Sequence, residues 1–543
     1  MRVVIIGGVA GGMSAATRLR RLDESAEIIV LERSGHVSYA NCGLPYYVGG
    51  VISDENKLYL QTPDSLHKRF RLDVRVNHEV IDISSEKKAV IVRDLLSAQK
   101  SEIHFDKLIL SPGATPVVPP IAGIERALTL RTVEDVVRIY DAVEVKPKSA
   151  VVIGGGFIGV EMAENLVHKG IKTSLIEALP QVLAPLDPEM AELVHQELRK
   201  NGIDLHLANS VKEITSDEVI LSDGSKVSAE LVIASIGVKP DITLARAAGV
   251  EIGSKGGISV NGFNQTSNPD IYAIGDVAEK NDDLTGESTL IPLANIANRH
   301  GRITADHIAG KKVREVSSVG TAIVKVFDLA VATTGWNAKK LRALGREFTE
   351  IHTHPNSHAT YYPGATQFSL KLIFDPKSGE IFGAQGVGRD GVDKRIDVIS
   401  TSIRAGITAP ELADLELAYA PPFGSAKDPV NMLGYIADNI VSKSTEIAQW
   451  SEINKFIADG YALVDVRSQS EYANGTIPGS INIPVDELRE RHLEINNKKV
   501  IINCQVGQRG HVATMLLRSL GYDAKNLDGG YLTWINSPAG NIK

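Results

Sequence analysis

Residues 3–22 read V-V-I-I-G-G-V-A-G-G-M-S-A-A-T-R-L-R-R-L, and residues 150–165 read A-V-V-I-G-G-G-F-I-G-V-E-M-A-E-N. Each stretch is a continuous apolar run, a cluster of glycines and a helix-forming segment, which predicts a buried strand turning tightly into a helix. A second apolar strand follows each one: E-I-I-V-L-E ends at Glu32 and T-S-L-I-E ends at Glu177. Two copies of one βαβ unit, each with an acid about 20 residues past its turn, predict two dinucleotide sites. Glycines let the backbone approach a pyrophosphate, the helix N-terminus offers unpaired N–H groups, and the acid accepts hydrogen bonds from ribose hydroxyls. The second turn has Gly154, Gly156 and Gly159 at full spacing, whereas the first keeps Gly7 and Gly12 but holds Val9 between them. Glu177 repels a 2′-phosphate, so the second site is expected to favour NADH over NADPH.

The rest of the chain must supply further units, because 543 residues exceed what one hydrophobic core organises. Its 43% apolar and 23% charged residues are those of a globular protein, without low-complexity bias. A net charge of −8 with no dense basic stripe argues against nucleic acid or a membrane surface as partner. The first strand begins at once, and no later run has the ~20 apolar residues of a membrane helix. A cytoplasmic location is therefore expected. The two cysteines, Cys42 and Cys504, stand in separate motifs, which suggests two reactive thiols rather than a disulfide. No metal site is expected.

Two further strings, L-I-L-S-P-G-A-T-P at 108–116 and N-P-D-I-Y-A-I-G-D-V-A at 268–278, read as strands breaking at glycines. Both resemble strings of the two-dinucleotide flavoprotein disulfide reductases. That resemblance implies FAD at the first turn, held by Gly7, Gly8, Gly12, Glu32, Gly113, Arg131 and Asp276, and NAD at the second. It also implies an α/β architecture with FAD-binding segments 1–120 and 250–320, an NAD-binding domain at 121–249 and a dimerisation domain at 321–440.

Cys42 lies in H-V-S-Y-A-N-C-G-L-P-Y-Y, after the second strand of the first unit. Helix-terminal dipoles and a neighbouring flavin are expected to lower its pKa. No second cysteine precedes residue 504, so its sulfur partner must be a substrate thiol in a mixed disulfide, or an oxygen in a sulfenic acid. S-Y-A-N-C-G-L-P-Y is similar to the active-site loop of the coenzyme A disulfide reductases. The peroxidase branch is less well matched, since residues 9–14 lack the histidine it keeps there. Ser14, Arg18 and Arg21 share one face of the first helix, and with Lys68, Arg69 and Arg71 they form a cationic patch suited to phosphates. The resemblance implies that Ser14, Arg18, Arg21, Ser38, Asn41, Arg69 and Lys427 line a CoA channel. H-A-T-Y-Y-P-G-A and L-A-Y-A-P-P-F-G-S-A-K-D match strings that place Tyr361 and Tyr419 across a homodimer interface beside the sulfur pair, as donors to a leaving thiolate. Tyr362 is expected to be a packing residue.

After a polar linker at 441–447, A-L-V-D-V-R-S-Q-S-E-Y, G-T-I-P-G-S-I-N-I-P and V-I-I-N-C-Q-V-G-Q-R-G-H occur in order, then L-D-G-G-Y-L-T-W. Residues 448–543 thereby resemble a rhodanese domain, with Cys504 at a strand end and a loop through Gly507 to Arg509 whose N–H groups can cradle a sulfur anion. The chain as a whole resembles fused CoA-disulfide reductase and rhodanese proteins, which implies reduction of CoA disulfide, CoA persulfide or polysulfide. Two alternatives stay open: an NADH oxidase or peroxidase cycling Cys42 through sulfenic acid, and a rhodanese domain that delivers persulfide to other proteins.

Overall fold

The computed structural model describes residues 1–315 and 317–540. The chain divides into two compact units, residues 1–180 with 202–318, and residues 181–201 with 319–543.

In the first unit, the strands predicted on either side of the first glycine turn, Arg2–Ile6 and Glu27–Leu31, pair in parallel. They lie in a five-stranded parallel sheet with Asp73–Arg75 beyond one edge and Lys107–Leu110 and Ile271–Ala273 beyond the other. Side chains from both faces of this sheet are buried, as the unbroken apolar runs require. The second unit of the repeat is built alike: Ser149–Ile153 sits between Lys172–Ile176 and Leu231–Ala234, with Asp204–His206 outermost. Each parallel sheet is accompanied by a three-stranded antiparallel meander, at residues 78–104 and 211–228.

Each glycine turn sits where the strand order reverses, the position at which such sheets bind ligands. A Cβ on Gly7, at φ +99°, would lie 2.1 Å from the Ser111 carbonyl oxygen, and one on Gly154, at φ +104°, would lie 2.4 Å from that of Ser235. The helices Ala10–Leu22 and Phe157–His168 are pressed equally close, since a Cβ on Gly12 or Gly159 would meet the carbonyl oxygen of Gly7 or Gly154 at 1.9 and 1.8 Å. Only glycine allows these contacts.

The second unit holds two sheets. One is antiparallel, in the order Ala322–Val326, Leu329–Gly335, Ile381–Gly388, Phe368–Phe374, Thr349–Thr353. The helices Val392–Ala405 and Pro429–Val441 also belong to this unit. The other sheet is parallel, with Lys499–Asn503 at its centre between Asp523–Leu527 and Ala462–Asp465. The α/β class and the order of two dinucleotide units, an antiparallel domain and a C-terminal α/β domain follow the expectation. No helix among the described residues is long and apolar enough to cross a membrane.

Candidate active site

The two acids at the strand ends adopt one geometry. Glu32 accepts from the Gly8 N–H at 2.8 Å and the Ser34 N–H at 2.9 Å, and Glu177 accepts from the Gly155 N–H at 2.7 Å and the Leu179 N–H at 2.8 Å. Each carboxylate thus braces its glycine turn, an arrangement the motif alone does not reveal. Burial raises the Glu32 pKa against the pull of those N–H donors. Neither following helix has a side-chain cap or an acidic residue in its first turn, so the N-terminal N–H groups remain available to an anion. Both turns therefore fit a dinucleotide pyrophosphate. Beside the first turn, Arg131 donates to the Pro112 carbonyl at 2.5 Å, and Gly113 has φ +76°. Asp276 stands in the turn Gly275–Val277, its pKa raised by burial and opposed by the nearby Lys280. Lys280 itself is buried, donating to the carbonyls of Gly275 and Ala278, and is lowered to about 8 by desolvation. The strand-then-glycine string Ser111-Pro112-Gly113 has an unanticipated counterpart in Ser235-Ile236-Gly237, which meets the second turn as the first string meets its own.

Cys42 lies in the single helical turn Asn41–Gly43, which runs into Leu44–Val48. The loop ahead of it is tied to the first dinucleotide turn, because the Ser38 N–H donates to the Gly8 carbonyl at 2.8 Å. Ser38 has φ +47°, a left-handed conformation costly for a non-glycine residue and held by the bonds on either side. The thiol is exposed at its outer side. Its pKa is nevertheless pushed up, first by the protein packed behind it, then by the negative charges of Glu161 and Asp276. This is opposite to the lowering expected from a flavin and helix dipoles: within the protein itself a helix of five residues contributes little, and burial together with two carboxyl groups outweighs it. Glu161 was not anticipated. It projects from the helix of the second dinucleotide unit, accepts from the Tyr46 hydroxyl at 3.1 Å, and is raised to about 7 by desolvation.

The cationic patch is only partly free. Arg18 is paired with Asp306 at 2.7 Å, and the Ser14 hydroxyl donates to Asn298 at 2.7 Å. Arg21, Lys68, Arg69 and Arg71 are exposed, as is Asn41. Buried Arg20, which the sequence did not single out, donates to the carbonyls of Phe70 and Arg71 at 2.8 and 3.2 Å and anchors the basic loop to the first helix.

In the second unit the Tyr361 and Tyr419 hydroxyls meet at 2.9 Å, at residues 74% and 48% exposed. Tyr362 is exposed as well, edge-on to His358, and so is not the packing residue expected. Lys427 is exposed. The two loops are joined by the Ala359 N–H to the Gly424 carbonyl and by buried Arg395, which donates to the Ser357 carbonyl at 3.1 Å and to Asp428 at 2.9 and 3.3 Å.

Cys504 is fully buried at the end of the central parallel strand, and its Sγ accepts from the Gly507 N–H at 3.1 Å. Gly507, at φ +92°, precedes the helix Gln508–Ser519. Arg509 donates to both oxygens of Glu471, at 2.8 and 2.6 Å, and holds that carboxyl at about 2. Thr476 donates to Asp465 at 3.1 Å, which also accepts from buried Arg467. The glutamate of the D-V-R-x-x-x-E-Y string thus orients the loop arginine, a role its spacing leaves unseen.

Residues 1–301 match the pyridine nucleotide-disulphide oxidoreductase family, 321–429 its dimerisation domain, and 449–537 the rhodanese-like domain. The chain is 34% identical over 440 residues, 80% of its length, to a coenzyme A disulfide reductase of Staphylococcus aureus (strain JH9), of which 99% is covered. It is similar to reduced Bacillus anthracis CoADR-RHD, with a TM-score of 0.97 and 48% identity over 98% of both chains. A NAD-dependent persulfide reductase from A. fulgidus aligns at a TM-score of 0.93 and 36% identity, over 98% of this chain and all of that one. The chain carries two dinucleotide turns, a thiol beside the first and a rhodanese-like domain, and it belongs to the pyridine nucleotide-disulphide oxidoreductase family.

Proposed function

We propose that the chain is an FAD-containing, NADH-oxidising reductase of CoA disulfide or CoA persulfide, acting through a mixed disulfide at Cys42. One observation carries the reading: Cys42, exposed and tied to the first dinucleotide turn, has no other cysteine before residue 504, so the second sulfur comes from the substrate. The relatives named above support CoA as its carrier, and exposed Arg21, Lys68, Arg69 and Lys427 suit its phosphates. FAD, bound by the first turn with Gly113, Arg131 and Asp276, supplies two-electron transfer between a nicotinamide and a sulfur centre. Gly154, Gly156, Gly159 and Glu177 hold NADH.

Cys42 thiolate attacks the CoA sulfur of CoA–S–SH; the new S–S bond joins Cys42 to CoA, and the outer sulfur leaves as HS⁻. With CoA disulfide the leaving group is CoA thiolate instead. Two electrons, from NADH oxidised to NAD⁺, then cleave the mixed disulfide and restore the Cys42 thiolate, and CoA leaves as its thiol after taking up one proton. Tyr361 and Tyr419, contributed by the partner in a homodimer, donate hydrogen bonds to the leaving thiolate. Glu161 lies near enough to shift the Cys42 thiol and holds or releases a proton near neutral pH. Cys504, as a persulfide, passes its outer sulfur to a CoA thiolate: the S–S bond at Cys504 breaks, CoA–S–SH forms and Cys504 is released as its thiolate.

The test is NADH oxidation by wild type, Cys42→Ser and Cys504→Ser with CoA disulfide, CoA persulfide and hydrogen peroxide. The reading requires that Cys42→Ser abolish turnover of both CoA substrates and that kcat/KM for peroxide be the lowest of the three. A preference for peroxide overturns it in favour of a sulfenic acid cycle.

A further inference from the structure

We propose that His352 is a positioning residue that pins the Asp528-Gly529-Gly530 turn, and through it the loop bearing Cys504, onto the antiparallel sheet of the same unit. His352 lies on the edge strand Thr349–Thr353 and is buried. Its Nδ1 lies 2.5 Å from Asp528 and its Nε2 lies 3.0 Å from Glu189, while its backbone N–H donates to the other Asp528 oxygen at 3.0 Å. Carboxylates only accept, so both ring nitrogens carry protons and the ring is an imidazolium.

The charges around it are balanced by neighbours from several elements. Lys371, wholly buried in the strand Phe368–Phe374, lies 2.9 Å from Asp187, 2.5 Å from Glu189 and 2.6 Å from Glu350. Its ammonium occupies the centre of that carboxylate cluster, so the cluster is no metal site. Arg342 pairs with Glu350 at 2.9 Å, and Gln385 donates to Asp187 at 2.7 Å.

From Asp528 the connection to Cys504 is short. A Cβ on Gly530 would lie 2.4 Å from the Cys504 carbonyl oxygen and 2.8 Å from the Gly507 nitrogen, so this turn is packed directly against the back of the sulfur cradle. The Tyr531 and Leu532 N–H groups donate to the Cys504 and Gln505 carbonyls at 2.7 and 3.0 Å. Asn526 donates to the Gly507 carbonyl at 3.1 Å. A second tie runs beside the first, since neutral His354 bridges Ser369 and Thr533 at 2.9 and 2.8 Å. The Gly529 position faces both, with the His352 Cβ 2.8 Å from where a side chain would begin. The turn behind Cys504 is thus held from two sides, by the cysteine's own loop and, through Asp528 and Thr533, by His352 and His354 of the antiparallel sheet.

The consequence for sulfur delivery rests on the reading of Cys504 as sulfur carrier, but the contact itself can be tested without it. Iodoacetamide alkylation of the full chain is followed by mass spectrometry at both cysteines, for wild type, His352→Gln, Asp528→Asn and the double variant. Modification of a buried thiol follows local opening, so Cys504 is expected to react about tenfold faster in either single variant, with Cys42 unchanged. The double variant should be no faster than the singles, because both break one contact. Unchanged Cys504 reactivity in a soluble variant overturns the proposal, as does an equal rise at both thiols. A purely stabilising role would lower the unfolding midpoint and leave native Cys504 reactivity where it was. If His352→Gln fails to fold, Asp528→Asn decides alone.

Discussion

Removing the Asp428 carboxylate tests how the two tyrosine loops are held. Asp428 and Arg395 are 3% and 1% exposed and meet at 2.9 and 3.3 Å, and the guanidinium also serves the carbonyls of Ser357 and Gly391. Alanine at 428 would strand a buried cation, a loss of about 3–5 kcal/mol. It would also remove the cap on Pro429–Val441, where Asp428 accepts from the Val430 N–H, a further loss of about 1 kcal/mol. Asparagine keeps the cap and one acceptor for the guanidinium, so Asp428→Asn should cost about half as much. The three tryptophans, Trp336, Trp450 and Trp534, all lie in the second unit, so their fluorescence in urea reads that unit's unfolding. Asp428→Ala should lower the midpoint strongly and Asp428→Asn less. At a temperature where both remain folded, turnover of CoA disulfide should fall as the Tyr361–Tyr419 pair loosens. A midpoint for Asp428→Ala equal to wild type refutes the argument that this ion pair joins the loops.

Replacing Glu161 with Gln takes a negative charge from beside Cys42, so the pH profile of Cys42 alkylation should move to lower pH; an unmoved profile would remove Glu161 from the thiol's surroundings. Glu177→Ala removes the charge that opposes a 2′-phosphate and the brace on Gly155, so kcat/KM with NADH should fall while the preference over NADPH shrinks by about tenfold or more, measured by initial rates with both nucleotides. His352 is raised from 6.5 to about 9, chiefly by Asp528 and Glu189 working against burial. A basic group raised on folding contributes stability that is complete below pH 6.5 and lost as the pH rises through about 9. The tryptophan-reported Tm should accordingly decline across that window in wild type, and the decline should flatten in His352→Gln.

What the sequence made legible was decided by backbone constraints. The two turns could be recognised because a chain that must pass within contact distance of its own carbonyls can carry only glycine there, whatever surrounds it. Tyr361, Tyr419 and Cys504 were legible because exposed or loop-borne chemistry sits in strings that resemble those of other chains. The side chains that hold these groups in place were not. Lys371 stands as a single charge in F-S-L-K-L-I-F, yet every residue of that strand is buried and its ion-pair partner Glu189 is 182 residues distant in sequence. Arg395 lies within a helix that reads as amphipathic, and its partner Asp428 stands 33 residues on. Glu161 is one of two acids, with Glu164, in an otherwise largely apolar helix. A buried charge is tolerated only when its partners converge on it, and those partners come from strands and turns far apart in the chain, so no local period or spacing records them. The same convergence makes them informative in the fold: a carboxylate, an imidazolium and a second carboxylate in line, behind a thiol that must stay where its loop puts it, is an arrangement that only the assembled unit can display.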